Sequence, residues 1–237
     1  MSSAPVVEHL RARNSARPAC WCSADVARKV PGMNVRQKMF ARLYRGAGNP
    51  QTLPWHREEP PALLARIVAA RHPGPAGSAL DLGCGSGVHA VYLAQHGFSV
   101  VAVDFVAAAL DLASARAESA RVPLQLCESD VLDFDSPTGF DVVLDSGCLH
   151  HIPSSKVDAY LARLDRWLLP GGDYLLVHFA KRHALDRRPG GHRRTREEIT
   201  QLFSSLRLEA HDETFFNLSF PMGSTLAGIY WFRRPAI

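Results

Sequence analysis

The sequence lacks any apolar run approaching the ~20 residues that a membrane-spanning helix requires, and its first residues lack the apolar stretch of a secretory signal. It also lacks a disulfide framework. Cys20, Cys22, Cys84, Cys127 and Cys148 form an odd, scattered set with no paired metal-ligand spacing. Reduced thiols in a cytoplasmic protein are the expectation from that pattern, with no metal centre. No repeat recurs along the chain, which excludes solenoids and propellers. What is present suffices for one packed domain: 237 residues, 46% hydrophobic and 21% charged, a balance that rules out wholesale disorder.

Charge is unevenly placed. The formal net charge is +4, but residues 181–196 carry +6 and residues 1–30 carry +3, leaving −5 for the remaining chain. A nucleic-acid binder usually spreads positive charge over one face. The balance therefore disfavours that partner.

Residues 1–32 have no lasting apolar period and read as a disordered tail ahead of a single domain over 33–237. Val35, Met39, Leu43 and Tyr44 approximate a helical stripe over 34–45, and Leu53-Pro54-Trp55 reads as an extended connection. Pro60 and Pro61 suit the first turn of a helix over 62–71. Beyond it, apolar strands over 79–82, 98–103, 124–126, 140–144 and 174–179 alternate with helices. One helix begins at Val88 and another covers 107–119. A third is lined by Val157, Leu161, Leu164 and Leu168, with Ser155 and Asp158 as its capping box and Pro170-Gly171-Gly172 as its stop. The last covers 195–204, with Thr195 and Glu198 as its box, and strands over 207–216 and 227–233 follow. Such alternation predicts an α/β fold with a mainly parallel sheet covered on both faces, and the final pair predicts a hairpin with an antiparallel strand.

The informative segment is Asp81-Leu82-Gly83-Cys84-Gly85-Ser86-Gly87, where a strand ends, glycines turn and a helix begins. A ligand can rest against such a turn without meeting side chains, at the positive end of a helix. A phosphate-binding P-loop needs Gly-Lys-Ser/Thr, which is absent. The dinucleotide fingerprint needs glycine at position 88, where Val88 stands. Asp104 ends the next strand, 21 residues beyond Gly83, the usual interval for a carboxylate that takes ribose hydroxyls. Asp130 follows the third strand. Acids at three successive strand ends suit a ligand with a ribose and a positive charge but no phosphates.

In these motifs the chain resembles the class I S-adenosylmethionine-dependent methyltransferases, through residues 77–180 in its motifs and 34–237 in its order of elements. The resemblance implies a Rossmann-like, seven-stranded sheet with S-adenosyl-L-methionine as cofactor. It places Gly83, Gly85 and Gly87 beneath the methionine and ribose parts, Asp104 with Phe105 at the ribose, and Asp130 with Val131 at the adenine. Asp81 would orient the loop and approach the methionine amine, with Ser146 flanking the methionine end. Leu169 to Gly172 match the family's turn before the fifth strand.

Leu53-Pro54-Trp55, together with the run from Asp145 to Ile152, resembles small-molecule thiol and heterocycle methyltransferases, in which the N-terminal segment folds over the cofactor. This makes residues 33–76 a helical lid. The thiol branch often has an acid after the tryptophan, where His56 stands here. Trp55 reads either as part of that lid or as a core aromatic. His150 and His151 begin the segment where substrate normally approaches, so each is a candidate general base or a loop-closing side chain. Cys148 reads as a packing residue. Residues 181–196 read as a solvated basic loop or a clamp for an acidic acceptor, and Phe215, Phe216, Phe220 and Trp231 as a pocket wall or core.

The expected reaction is methyl transfer to O, N or S of a small aromatic or heterocyclic molecule by a monomer or homodimer, without membrane or nucleic acid. RNA or protein methylation is the alternative activity. A non-catalytic cofactor-binding module is the alternative from another class.

Overall fold

The computed structural model describes residues 35–47, 49–71, 77–181, 191–217 and 223–236. The expected tail over 1–32, the tip of the basic stretch over 182–190, and Phe220 lie outside the described residues. Among the described residues the elements run α1 (Val35–Gly46), α2 (Ala62–Arg71), β1 (Ser78–Leu82), α3 (Val88–Gln95), β2 (Ser99–Asp104), α4 (Ala107–Ala120) and β3 (Gln125–Glu128). They continue with β4 (Phe140–Ser146), α5 (Val157–Trp167), β5 (Leu168–Phe179), α6 (Arg196–Leu202), β6 (Arg207–Asn217) and β7 (Ser224–Arg233).

The strands form one seven-stranded sheet in the order β3-β2-β1-β4-β5-β7-β6. Strands β1 to β5 pair in parallel, while β7 pairs antiparallel with both β5 and the edge strand β6. Because both faces are covered, β4 and β5 are buried almost throughout. One face packs on Leu63, Leu64 and Ile67 of α2 and on Ala90 and Leu93 of α3. The other packs on Tyr160, Leu164 and Trp167 of α5 and on Ile199 of α6. At the end of the sheet where β5 enters, Asp173 is fully buried and accepts hydrogen bonds from Arg71, Arg233 and the Trp231 indole. That network anchors α2 and accounts for Trp231 as a core residue.

Several expectations fail for local reasons. Val35 and Met39 are 86% and 49% exposed, so most of the apolar stripe of α1 faces outward. Of the expected stripe only Tyr44 is buried, together with Gln37 and Ala41. Residues 50–52 form a 3-10 turn capped by the Asn49 side chain, and a further turn carries 53–56, so this connection is not extended. Ser155 is no cap: Ser154–Lys156 close a 3-10 turn on Pro153, which places Ser155 inside the turn. Helix α5 ends at Trp167, and Pro170-Gly171-Gly172 already belong to β5. The box of Thr195 and Glu198 does form. Cys84 and Cys148 carry free thiols, but Cys127 is disulfide-bonded. It lies on the edge strand β3, where a thiol can be reached from another segment.

Candidate active site

The strand order reverses between β1 and β4, and in open α/β sheets the ligand crevice lies beyond the strand ends at such a switch point. The loop after β1 is tied to β2 by Gly83 and Cys84, whose N–H groups donate to the Val103 carbonyl. Gly83, Gly85 and Gly87 all have left-handed backbones (φ 68°, 55° and 76°), and α3 starts immediately after Gly87. A Cβ on Gly87 would lie 2.8 Å from the Ala113 Cβ, so this glycine also lets α3 approach α4. A Cβ on Gly85 would lie 2.6 Å from the Tyr44 hydroxyl. The face of the loop is therefore covered by α1.

Three buried carboxylates line the crevice, and none is ion-paired with a described residue. Asp104 accepts hydrogen bonds from the N–H groups of Gly85 (3.0 Å) and Val106 (2.9 Å). Burial raises its pKa to about 6 against the pull of those donors. Asp81 is pushed up to about 8 by burial and then by the negative charges of Asp104 and Asp145. Its Oδ2 has no hydrogen-bond partner among the described residues. Asp145, also raised to about 6 by burial, accepts from the N–H groups of Cys148 and Leu149 and from the Tyr160 hydroxyl.

Asp130 lies at the rim after β3. Its Oδ1 accepts from the Leu132 N–H (2.9 Å) and its Oδ2 from the Gln37 amide of α1 (3.0 Å). Val131 beside it is buried in the core, and Ser146 ends β4, half-buried.

The N-terminal segment closes the crevice from above. Phe40 makes edge contacts with Trp55, Phe105 and His151, at ring separations of 5.3, 6.1 and 4.9 Å. Trp55 donates its indole N–H to the Tyr44 hydroxyl (3.3 Å), and its ring touches both the central core and the cluster around α1. Burial, then the charge of Asp104, pushes the Tyr44 phenol far above its usual range. Arg57 lies over the Phe216 ring (4.1 Å) and donates to the Phe215 carbonyl, tying this segment to β6.

The histidines separate by environment. His150 is buried and stacked on Phe179 (4.0 Å, 16°), and its carbonyl accepts from the His192 N–H. His151 is half-buried against Phe40. His178 is buried, with Nδ1 at 2.9 Å from the Phe179 carbonyl and Nε2 at 3.0 Å from the Arg194 guanidinium. A carbonyl cannot donate and a guanidinium cannot accept, so Nδ1 carries the proton and Nε2 accepts. Burial lowers its pKa to about 3. His178 is thus a fixed neutral side chain.

In the basic stretch, Lys181, Arg193 and Arg194 are engaged within the molecule, whereas Arg196 is exposed. Arg193 is buried with its guanidinium over Phe179, Arg194 holds His178, and Lys181 pairs with Glu198. These three side chains are not solvated, while residues 182–190, the greater part of the expected loop, lie outside the described residues. Among the described residues no cluster of His, Cys, Asp and Glu is placed to hold a metal ion, and no helix is long and apolar enough to cross a membrane.

The donor set tests which ligand fits. An anion would meet three buried carboxylates, whereas a cation bearing N–H and O–H donors would satisfy the orphaned Asp81 oxygen and offset the clustered negative charge. Gln37, Phe40, Tyr44 and Asp145 are site residues that sequence reasoning missed. The alternative helical phase of α1, with positions 37, 40, 41 and 44 on one side, was the available signal.

A methyltransferase-domain family model matches residues 79–172. A 2-heptyl-1-hydroxyquinolin-4(1H)-one methyltransferase of Mycobacteroides abscessus is 32% identical over 153 residues, covering 61% of this chain and 65% of that protein. A ubiquinone biosynthesis O-methyltransferase of Paramagnetospirillum magneticum is 31% identical over 139 residues, 59% of this chain and 54% of that protein. The match therefore spans less than two thirds of either curated relative. Among solved structures, the 1,6-didemethyltoxoflavin-N1-methyltransferase of Burkholderia thailandensis, with 1,6-didemethyltoxoflavin and S-adenosylhomocysteine bound, superposes with a TM-score of 0.62 at 22% identity. The superposition covers 84% of this chain and 86% of that one. A structure from the conversion of a disulfide bond into a thioacetal group in echinomycin biosynthesis gives 0.65 at 24% identity, over 84% and 92%. At these identities the structures establish the fold.

Proposed function

We propose that this chain is a class I S-adenosylmethionine-dependent methyltransferase that transfers a methyl group to an O, N or S atom of a small aromatic or heterocyclic molecule. The observation that carries the reading is the buried Asp81 carboxylate, with one oxygen unpartnered beside Asp104 and no cation paired to either among the described residues. In this reading S-adenosyl-L-methionine brings a methyl group on a sulfonium, already activated for displacement. The chain's own residues bind, align and exclude water. Asp104, with Phe105 beside it, takes the ribose hydroxyls. Asp130 and Val131 meet the adenine, exchanging the Gln37 amide for the adenine amine. Asp81 faces the methionine amine, Gly83, Gly85 and Gly87 run beneath it, and Ser146 flanks it.

Residues 33–76 act as the lid, in which Trp55 and Tyr44 cover the glycine loop. The acceptor lies against Phe40, His151 and the turn after β4. An aromatic or heterocyclic acceptor is supported by the names of the relatives and by the rings of Phe40 and Trp55, which offer edges and faces to a planar molecule. If the acceptor is a hydroxyl, His151 is the better placed base, because His150 is packed on Phe179. The protein works as a monomer or homodimer in the cytoplasm, without nucleic acid.

Transfer of radiolabelled methyl from S-adenosylmethionine to a panel of hydroxyquinolones, phenols, heterocyclic amines and thiols, with total RNA and lysate protein in parallel, tests this. Labelling of a small molecule is the expected result. Label in RNA or protein alone, or no binding of S-adenosylhomocysteine by calorimetry, would refute it.

A further inference from the structure

The turn over 147–151 touches three parts of the site at once. The Cys148 Cβ lies 3.3 Å from where a Cβ on Gly83 would stand, His151 faces Phe40, and the His150 carbonyl accepts from His192. From within the sheet, Asp145 holds this turn. Its Oδ1 accepts from the N–H groups of Cys148 (2.8 Å) and Leu149 (3.2 Å), and its Oδ2 from Leu149 (3.0 Å) and the Tyr160 hydroxyl (2.6 Å). An ionised carboxylate only accepts, so Tyr160 must donate to it. The Tyr160 oxygen is then left to accept from the Tyr174 hydroxyl, 3.0 Å away. Both tyrosines are fully buried, on α5 and β5.

We propose that Tyr160, backed by Tyr174, is a positioning residue of the site: it keeps Asp145 in its accepting form and so sets the turn that carries Cys148 and His151. The functional meaning of that turn rests on the reading above, whereas the link from Tyr160 to the turn does not. A hydroxyl used only for packing would be dispensable, because phenylalanine keeps the ring volume. A hydroxyl that holds Asp145 would not be. The titratable groups facing Asp145 are Asp81 from β1, Cys148 from the turn, Tyr160 from α5 and Tyr174 from β5. Tyr160 is the nearest side-chain donor, so deleting its hydroxyl raises the proton affinity of Asp145 further. Once protonated on Oδ2, Asp145 can no longer accept there from the Leu149 N–H (3.0 Å) and holds the turn through Oδ1 alone.

The test follows the amide protons of Cys148 and Leu149 by NMR from pH 5 to 8 in the full chain, with and without S-adenosylhomocysteine. In the wild type both amides should titrate together near pH 6. In Tyr160→Phe the midpoint should rise by about half a unit, roughly a threefold gain in proton affinity, and the two amides should exchange severalfold faster with solvent at pH 7. Tyr174→Phe should shift the midpoint the same way by less. Asp145→Asn should abolish the titration and keep the Cys148 amide protected while loosening that of Leu149, as protonation does, since Oδ1 still accepts and an NH2 replaces the oxygen that Leu149 and Tyr160 bond. A wild-type midpoint and exchange rate in Tyr160→Phe would overturn the proposal. Should that variant not fold, an unshifted Tyr174→Phe would overturn it instead. Failure of the methylation screen alongside the expected titrations would remove the proposed activity but leave this link standing.

Discussion

The approach of Tyr44 to Gly85 can be tested by a pair of substitutions. Gly85→Ala imposes a side chain on a left-handed residue (φ 55°), which costs roughly 1–2 kcal/mol. It also puts a methyl group 2.6 Å from the Tyr44 hydroxyl, well inside contact distance, in a place where overpacking adds about 1–3 kcal/mol. The next atom of Tyr44 is Cζ at 3.8 Å, an ordinary contact. Tyr44→Phe therefore removes the clash and leaves only the backbone cost. Alone, it loses the hydrogen bond from Trp55, worth about 0.5–1.5 kcal/mol. Urea unfolding of the four proteins should show Gly85→Ala costing about 2–5 kcal/mol in the wild-type background and about 1–2 kcal/mol in the Tyr44→Phe background. If the two costs add to within about 0.5 kcal/mol, as independent sites do, the covering of the loop by α1 is refuted.

Other predictions are shorter. Asp104→Ala should weaken binding of S-adenosylhomocysteine by roughly 1.5–3 kcal/mol by calorimetry, and should also lower stability, because Gly85 and Val106 lose the acceptor of their N–H groups; unchanged affinity would remove Asp104 from the site. Asp81, raised to about 8, keeps its proton in the native state while the unfolded carboxyl, near ~3.9, has lost it, so stability falls as pH rises between these values. Between about pH 7.5 and 8 the histidines that burial depresses, His89 to about 4 and His178 to about 3, are largely neutral in both states, and Asp104 and Asp145, raised to about 6, are largely ionised in both, so the urea midpoint of the ligand-free protein should decline there and become nearly flat in Asp81→Asn. A flat wild-type profile would contradict this. His150→Gln should destabilise the fold through its stack on Phe179, whereas His151→Gln should leave stability unchanged and, for a hydroxyl acceptor, cut turnover by about 10²–10⁴-fold; full turnover in His151→Gln with such an acceptor would exclude it as the base.

The parallel sheet was legible because its strands are short apolar runs punctuated by glycines and acids, and the glycine loop because its three residues need left-handed backbones. Local chemistry sufficed for both. It did not suffice for α1, whose expected stripe at 35, 39, 43 and 44 holds only at Tyr44. Gln37 faces inward because Asp130 accepts its amide, and Tyr44 because Trp55 donates to it, and both partners come from other segments. Asp145 was hidden for a related reason. In a strand buried on both faces a carboxylate has no alternation to mark it, and its donors come from the following turn and from α5. The false capping box at Ser155 shows the reverse error, a local signal overridden by the 3-10 turn that Pro153 initiates.

The antiparallel strand inserted beside β5 has a consequence for synthesis. Strand β5 reaches Phe179, but its second neighbour, Ser224–Arg233, leaves the ribosome only after α6 and β6. Until then the growing chain presents a bare strand edge carrying Leu175, Leu176 and Val177, a template for pairing with other chains. Any product that stops short of β7 keeps that edge permanently. Loss of the last strand alone should therefore yield an insoluble, chaperone-bound polypeptide instead of a weakened enzyme, and the harm done by a premature stop should depend little on how late it falls before Ser224.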